Sequence, residues 1–156
     1  MGFVYQMKQF QDERMCLVIG ALVPLNLVLE ETIDYCKQRK AFGKPLISNQ
    51  YLSYRLAELY TELELMRAAA YHVVDLMDDG EDVTLQASML KLKVGRLARE
   101  ITDSCLQFWG GMGFTEEVMV SKAYRDLRLW SIGGGADEVM LGIICKLSEI
   151  MPSREK

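Results

Sequence analysis

Apolar side chains recur along most of this chain at alternating spacings of three and four, the period of helices that bury one face. The first run, Met15, Val18, Leu22, Leu25, Leu29, Thr32 and Cys36, predicts a long helix from Asp12 to Arg39 or Lys40. Pro24 lies inside it and removes one backbone donor, so a kink rather than a break is expected. The second run, Leu52, Leu56, Leu59, Leu63, Met66, Ala70, Val73 and Met77, opens after Ser48 as N-cap and closes at the acidic turn 78–82. At about 1.5 Å per residue each helix spans roughly 40 Å, so the two must pack side by side. Thr84 caps a third helix carrying Leu90, Val94, Leu97, Ile101, Cys105 and Phe108, which ends at the glycines from Gly110. A fourth helical stretch, 118–130, runs into Gly133, Gly134 and Gly135, and a last one from Ala136 to Ile150 places Val139, Ile143, Leu147 and Ile150 on one face. Residues 1–11 show no clear period and read as an irregular lead-in, and 152–156 read as a frayed tail. No stretch alternates long enough for a convincing strand. The expected fold is all-α, one antiparallel up-down bundle of about four principal helices over 12–151.

Composition narrows the function. The chain has 156 residues, half of them apolar, and 18 basic against 22 acidic side chains give a net charge of −4. Without a basic run or an aromatic-plus-basic cluster, nucleic acid is set aside. No apolar stretch reaches the roughly 18 residues of a spanning helix, because Pro24 and Asn26 interrupt the longest, Met15 to Leu29. Cys16, Cys36, Cys105 and Cys145 are widely spaced and His72 is the only histidine, which points to neither a metal site nor a disulfide framework and fits a reducing compartment.

Four stretches carry candidate chemistry. Between Tyr124 and Met140 a charged helical segment meets three consecutive glycines and then a new helix, whose first turn holds Asp137 and Glu138. Backbone without Cβ atoms lets another body approach, and a helix N-terminus offers unpaired N–H groups to an anion. Phe10 to Met15, FQDERM, puts Glu13 and Arg14 at the mouth of the first helix, where such a pair commonly just solvates a surface. Arg39 to Gln50, RKAFGKPLISNQ, reads by itself as a helix-ending loop with Phe42 plugging the core. Gln107 to Phe114, QFWGGMGF, reads by itself as a glycine C-cap. His72, Trp109 and Trp130 read as packing or surface residues, and the ten methionines as core filler.

Taken in order over nearly the whole chain, these stretches resemble the C-terminal helical domain of the acyl-CoA dehydrogenase family. The resemblance implies FAD as cofactor. It places Arg39 on the pyrophosphate and adenosine side of FAD across a subunit interface, Phe42 beside the cofactor, and Gln50 in a hydrogen bond to it. It makes Gln107, Phe108, Trp109, Gly110 and Gly111 a further FAD contact, together with Ala136, Asp137 and Glu138 at the start of the last helix. Ala136 stands where the family usually has Thr, which removes one hydroxyl donor. The implied reaction converts an acyl-CoA thioester to the trans-2-enoyl-CoA, the β hydrogen leaving as hydride to flavin N5. An electron-transfer flavoprotein or similar acceptor, and a homodimer or homotetramer, are implied as partners.

The departure from the family pattern is at the glycines. Many members carry the α-proton-abstracting glutamate at the position filled here by Gly134, and glycine cannot be a base. A minority, including the isovaleryl-CoA and long-chain enzymes, place it just before an arginine at the start of the first long helix, where Glu13 and Arg14 stand. Glu13 is therefore expected to be the base, its pKa raised by burial between acyl chain and flavin. Arg14 is expected to orient the CoA portion or the helix mouth, Gly134 and Gly135 to line the thioester space, and residues 4–7 to contribute to the acyl wall. The family also has an N-terminal helical domain and a middle β domain ahead of this bundle, so the chain is expected to be a fragment of a larger enzyme. The alternative is a stand-alone helical module kept for oligomerisation or partner binding. Localisation is left between a bacterial cytoplasm and a mitochondrial matrix or peroxisome.

Overall fold

The computed structural model describes the backbone of residues 2–151 and the side chains of 9–151. Three long helices form the body: α1 (Gly2–Gln38), α2 (Gln50–Asp78) and α3 (Thr84–Trp109). Shorter pieces follow, α4 (Gly111–Phe114), α5 (Met119–Asp126), a 3₁₀ segment (Leu127–Ser131) and α6 (Asp137–Leu147). α3 is the central member: α1, α2, α5, the 3₁₀ segment and α6 all pack against it. The seams predicted for the three long helices supply most of the observed core, with Val18, Leu25, Leu29, Leu63, Leu97 and Ile101 buried completely or nearly so. The face predicted for the last helix does not: Val139, Leu147 and Ile150 are exposed, Met140 is the buried apolar residue there, and the helix ends at Leu147 rather than Ile150.

Several boundaries move. The helix begins at Gly2 rather than Asp12, so residues 2–11 are helical and not an irregular lead-in. The missing seam over 2–11 hid the extension. α1 runs continuously through Pro24. It also contains an 18-residue window of mean hydropathy 1.8, long and apolar enough to cross a membrane by composition alone. Its seam residues Met15, Val18, Leu22, Leu25 and Leu29 are nevertheless buried, on a helix that packs against α2 and α3, while Val23 and Leu27 remain exposed. The second helix is capped by Asn49, not Ser48: the Asn49 side-chain oxygen accepts from the Tyr51 N–H at 3.0 Å. Thr84 is the first residue of α3 rather than its cap, and Asp82 accepts from its N–H at 3.0 Å. The tail 152–156 lies outside the described residues.

Short elements not anticipated are α4, a 3₁₀ turn at Leu46–Ser48 and a small hairpin. Lys40–Ala41 (β1) and Lys44–Pro45 (β2) pair antiparallel around Phe42 and Gly43, which have φ of +53° and +79°. Two positive φ values at the central positions are the geometry of a tight hairpin turn.

Candidate functional site

One candidate site lies where α1 meets the triple glycine. The indole N–H of Trp130, in the 3₁₀ segment, donates to the Leu17 carbonyl of α1 at 2.8 Å, pinning the approach to the glycines onto that helix. The same segment crosses α3 closely at Gly95, where an added Cβ would stand 2.8 Å from the Trp130 carbonyl oxygen. Gly134 then sits against α1 with φ of +67°, and the Leu17 side chain occupies the place a Cβ would take. Around this contact opens a cleft of about 600 Å³ lined by Gln9, Asp12, Glu13, Cys16, Leu17 and Gly134.

Glu13 and Gly134, distant in sequence, thus face one space. The Glu13 carboxylate is exposed there and has no hydrogen bond or ion pair among the described residues. Arg14 points the other way. It is buried, stands 5.9 Å from the Phe10 ring centroid and makes a long contact of 3.5 Å to Ser88 Oγ. Burial lowers its pKa, and the neighbouring Glu13 charge partly offsets that. At Gly135 an added Cβ would stand 2.6 Å from Met140 Cε, against α6. Residues 4–7 belong to α1, but their side chains lie outside the described set.

Below the glycines is a buried charged layer. The Lys91 side chain is fully buried, and its ammonium donates to the Gly135 carbonyl. Desolvation lowers the Lys91 pKa, Asp137 raises it, and Arg14 lowers it further. Asp137 is buried too, its Oδ2 held by Arg99 at 3.2 Å and Arg96 at 3.6 Å. Its carboxylate is thus engaged with these two arginines, while the neighbouring Glu138 is exposed.

The remaining predicted residues collect at the opposite end of α1. Arg39 and Phe42 are exposed at and beyond its C-terminus, and Phe42 projects from the hairpin turn rather than plugging the core. Gln50 is exposed at the start of α2, and Gln107, Gly110 and Gly111 are exposed at the end of α3. No atom lies within 4 Å of where Cβ atoms would stand on Gly110 and Gly111. Trp109 faces inward: its ring stacks on Tyr35 with centroids 4.0 Å apart, and its N–H donates to Thr32 Oγ1 at 3.1 Å. Phe108 meets Tyr51 edge-on at 6.5 Å. These two side chains lock α3 to α1 and α2. Both are half-buried in these internal contacts.

Residues 1–148 match the family model for the acyl-CoA dehydrogenase C-terminal domain. The chain belongs to the acyl-CoA dehydrogenase family. It is 35% identical over 141 residues to a probable acyl-CoA dehydrogenase of Escherichia coli K12, covering 90% of this chain and 37% of that protein. It is 34% identical over 145 residues to the mitochondrial long-chain specific acyl-CoA dehydrogenase of Mus musculus, covering 93% of this chain and 34% of that one. An acyl-CoA dehydrogenase structure from Geobacillus kaustophilus superposes with a TM-score of 0.92 at 32% identity, over 94% of this chain and 39% of that chain. The chain thus spans little more than a third of the relatives it matches.

Members of the acyl-CoA dehydrogenase family are flavoproteins and oxidoreductases. The helical C-terminal domain is what this chain shares with them. Five residues at or under the cleft were missed by sequence reasoning. Gln9, Asp12, Cys16 and Leu17 were hidden because they flank Glu13 without a motif of their own. Lys91 left a signal: it stands among Ala87, Val94 and Ala98 on the buried face of α3, where a charged side chain is anomalous.

Proposed function

We propose that this chain is the C-terminal domain of an FAD-dependent acyl-CoA dehydrogenase that converts an acyl-CoA thioester to its trans-2-enoyl-CoA, with Glu13 as the base. The observation that supports this most is the cleft shared by Glu13 and Gly134. A carboxylate missing at the glycine corner stands across the same space on α1, within the volume an acyl thioester would fill. The exposed carboxylate is free to take the α proton, and closing the cleft over it with substrate removes the water that would compete. Gly134 lets the Leu17 side chain pack where a Cβ would stand, so any side chain at this position would have to displace Leu17 from the wall of the cleft.

The residues at the other end fit the adenosine and pyrophosphate half of FAD. Arg39 offers a planar cation without an ion-pair partner among the described residues, Gly110 and Gly111 leave backbone open, and Phe42 presents an apolar face. Bound FAD supplies the two-electron acceptor for the β hydrogen. Glu13 and Arg39 are separated by 26 residues of α1, about 40 Å at 1.5 Å per residue. That exceeds what one dinucleotide bridges, so the two ends serve two cofactors, which fits a homodimer or homotetramer. An electron-transfer flavoprotein is the corresponding electron acceptor.

The test is anaerobic flavin bleaching by a series of acyl-CoA thioesters in the flavin-loaded protein. Glu13→Gln should bleach at least 10³-fold more slowly, on the order of 4 kcal/mol of lost transition-state stabilisation. Asp12→Asn should stay within about threefold. Full activity in Glu13→Gln, or its transfer to Asp12, overturns the assignment.

A further inference from the structure

We propose that Lys91 is a positioning residue for this reaction: by holding the Gly135 carbonyl from beneath, it fixes Gly134 in its place opposite Glu13. The inference rests on the reading of the Glu13 cleft given above. Its grounds lie in how little else restrains the corner. Gly133 donates to the Leu129 carbonyl at 2.8 Å upstream, and Met140 donates to the Ala136 carbonyl at 3.0 Å downstream. Between them the amides of Gly134 and Gly135 have no acceptor among the described residues, and both residues adopt positive φ, +67° and +113°. Consecutive glycines in that state have more conformational freedom than any other backbone. Among the described residues the ammonium of Lys91 is the one side-chain group bonded to it, and Lys91 Cε lies 3.8 Å from the Cβ position of Gly134.

Stability alone does not account for a lysine here. The position belongs to a buried apolar face, and an uncharged side chain of the same length would fill it without desolvating an ammonium. The charged groups that face Lys91 are Arg14 on α1, which opposes its charge, and Asp137 on α6, which supports it. Asp137 is itself shared with Arg96 and Arg99. The cation is retained despite two cationic competitors for the same carboxylate, and the contact it gains is the corner carbonyl. Lys91 touches neither the cleft nor Glu13, so its effect on the reaction passes through Gly134 and Gly135.

The experiment compares the protein with Lys91→Met by amide ¹⁵N relaxation and by melting. The proposal expects order parameters at Gly134, Gly135 and Ala136 to fall from about 0.85 to below about 0.6 in Lys91→Met, with amides at Leu25, Leu63 and Ala98 unchanged and Tm unchanged or higher. In the flavin-loaded protein the same substitution should lower kcat at least tenfold with KM within about twofold. An unchanged corner, or loosening spread equally over the core, overturns the proposal. A measurement on the unsubstituted protein guards against a variant that does not fold: the Gly135 carbonyl ¹³C shift should titrate in step with the Lys91 ammonium, below the ordinary lysine value of 10.5. Independent titrations overturn the tether. Glu13→Gln retaining full turnover would remove the reaction reading while leaving the relaxation result standing, so the two failures are distinguishable.

Discussion

Gly95 sits under the 3₁₀ segment, where a methyl group would press on the Trp130 carbonyl oxygen at 2.8 Å and on Ser131 Oγ at 3.0 Å. Both neighbours belong to the segment that carries Trp130 to its bond with the Leu17 carbonyl, so displacing it also shifts the floor of the cleft. Gly95→Ala should therefore cost about 1–3 kcal/mol in urea unfolding despite the higher helix propensity of alanine. A gain in stability would show that the crossing is looser than described. Sequence displayed the glycine but not its reason, because Gly95 touches residues far along the chain. Glu13 was similarly ambiguous: its one-dimensional context is that of a solvated helix start. Only the fold brings Gly134 and Leu17 to the same cleft. Lys91 was legible as an anomaly in an apolar seam, and its partner Gly135 was not, since backbone carbonyls leave no mark in sequence.

At the scale of elements, the periodic seams of α1, α2 and α3 were readable because each long helix buries one face. Their ends were less so. The caps at Asn49 and Val83 and the helical stretch 2–11 depend on local geometry that residue type only biases. The hairpin 40–45 was invisible because strands of two residues have no period. Its turn places Phe42, a bulky residue, at φ of +53° and fully exposed, a conformation of order 1–2 kcal/mol above the usual one. The clamp between helices is at Trp109, stacked on Tyr35 and bonded to Thr32 Oγ1. Trp109→Phe keeps the stacking and removes the donor, so thermal or urea unfolding should report a loss of about 1 kcal/mol. A neutral result would assign the clamp to stacking alone.

At the scale of the whole molecule, the chain presents apolar side chains that a bundle of this size leaves uncovered. Val23 and Leu27 stand one turn apart on the outer face of α1, 62% and 44% exposed. If the two ends of α1 serve two cofactors, copies of the protein must associate, and this stripe is available to do so. Val23→Asp with Leu27→Glu should move the sedimenting species in analytical ultracentrifugation towards monomer while leaving the melting transition of the bundle nearly unchanged. An unaltered assembly would place the contact on another face. The central claim, that Glu13 and the glycine corner act on one carbon, is tested most directly by a crystal structure of the flavin-loaded protein with a non-oxidisable acyl-CoA analogue. The account predicts the α carbon within about 3.5 Å of the Glu13 carboxylate and beside Gly134. An analogue bound elsewhere, with Glu13 still facing bulk water, would contradict it.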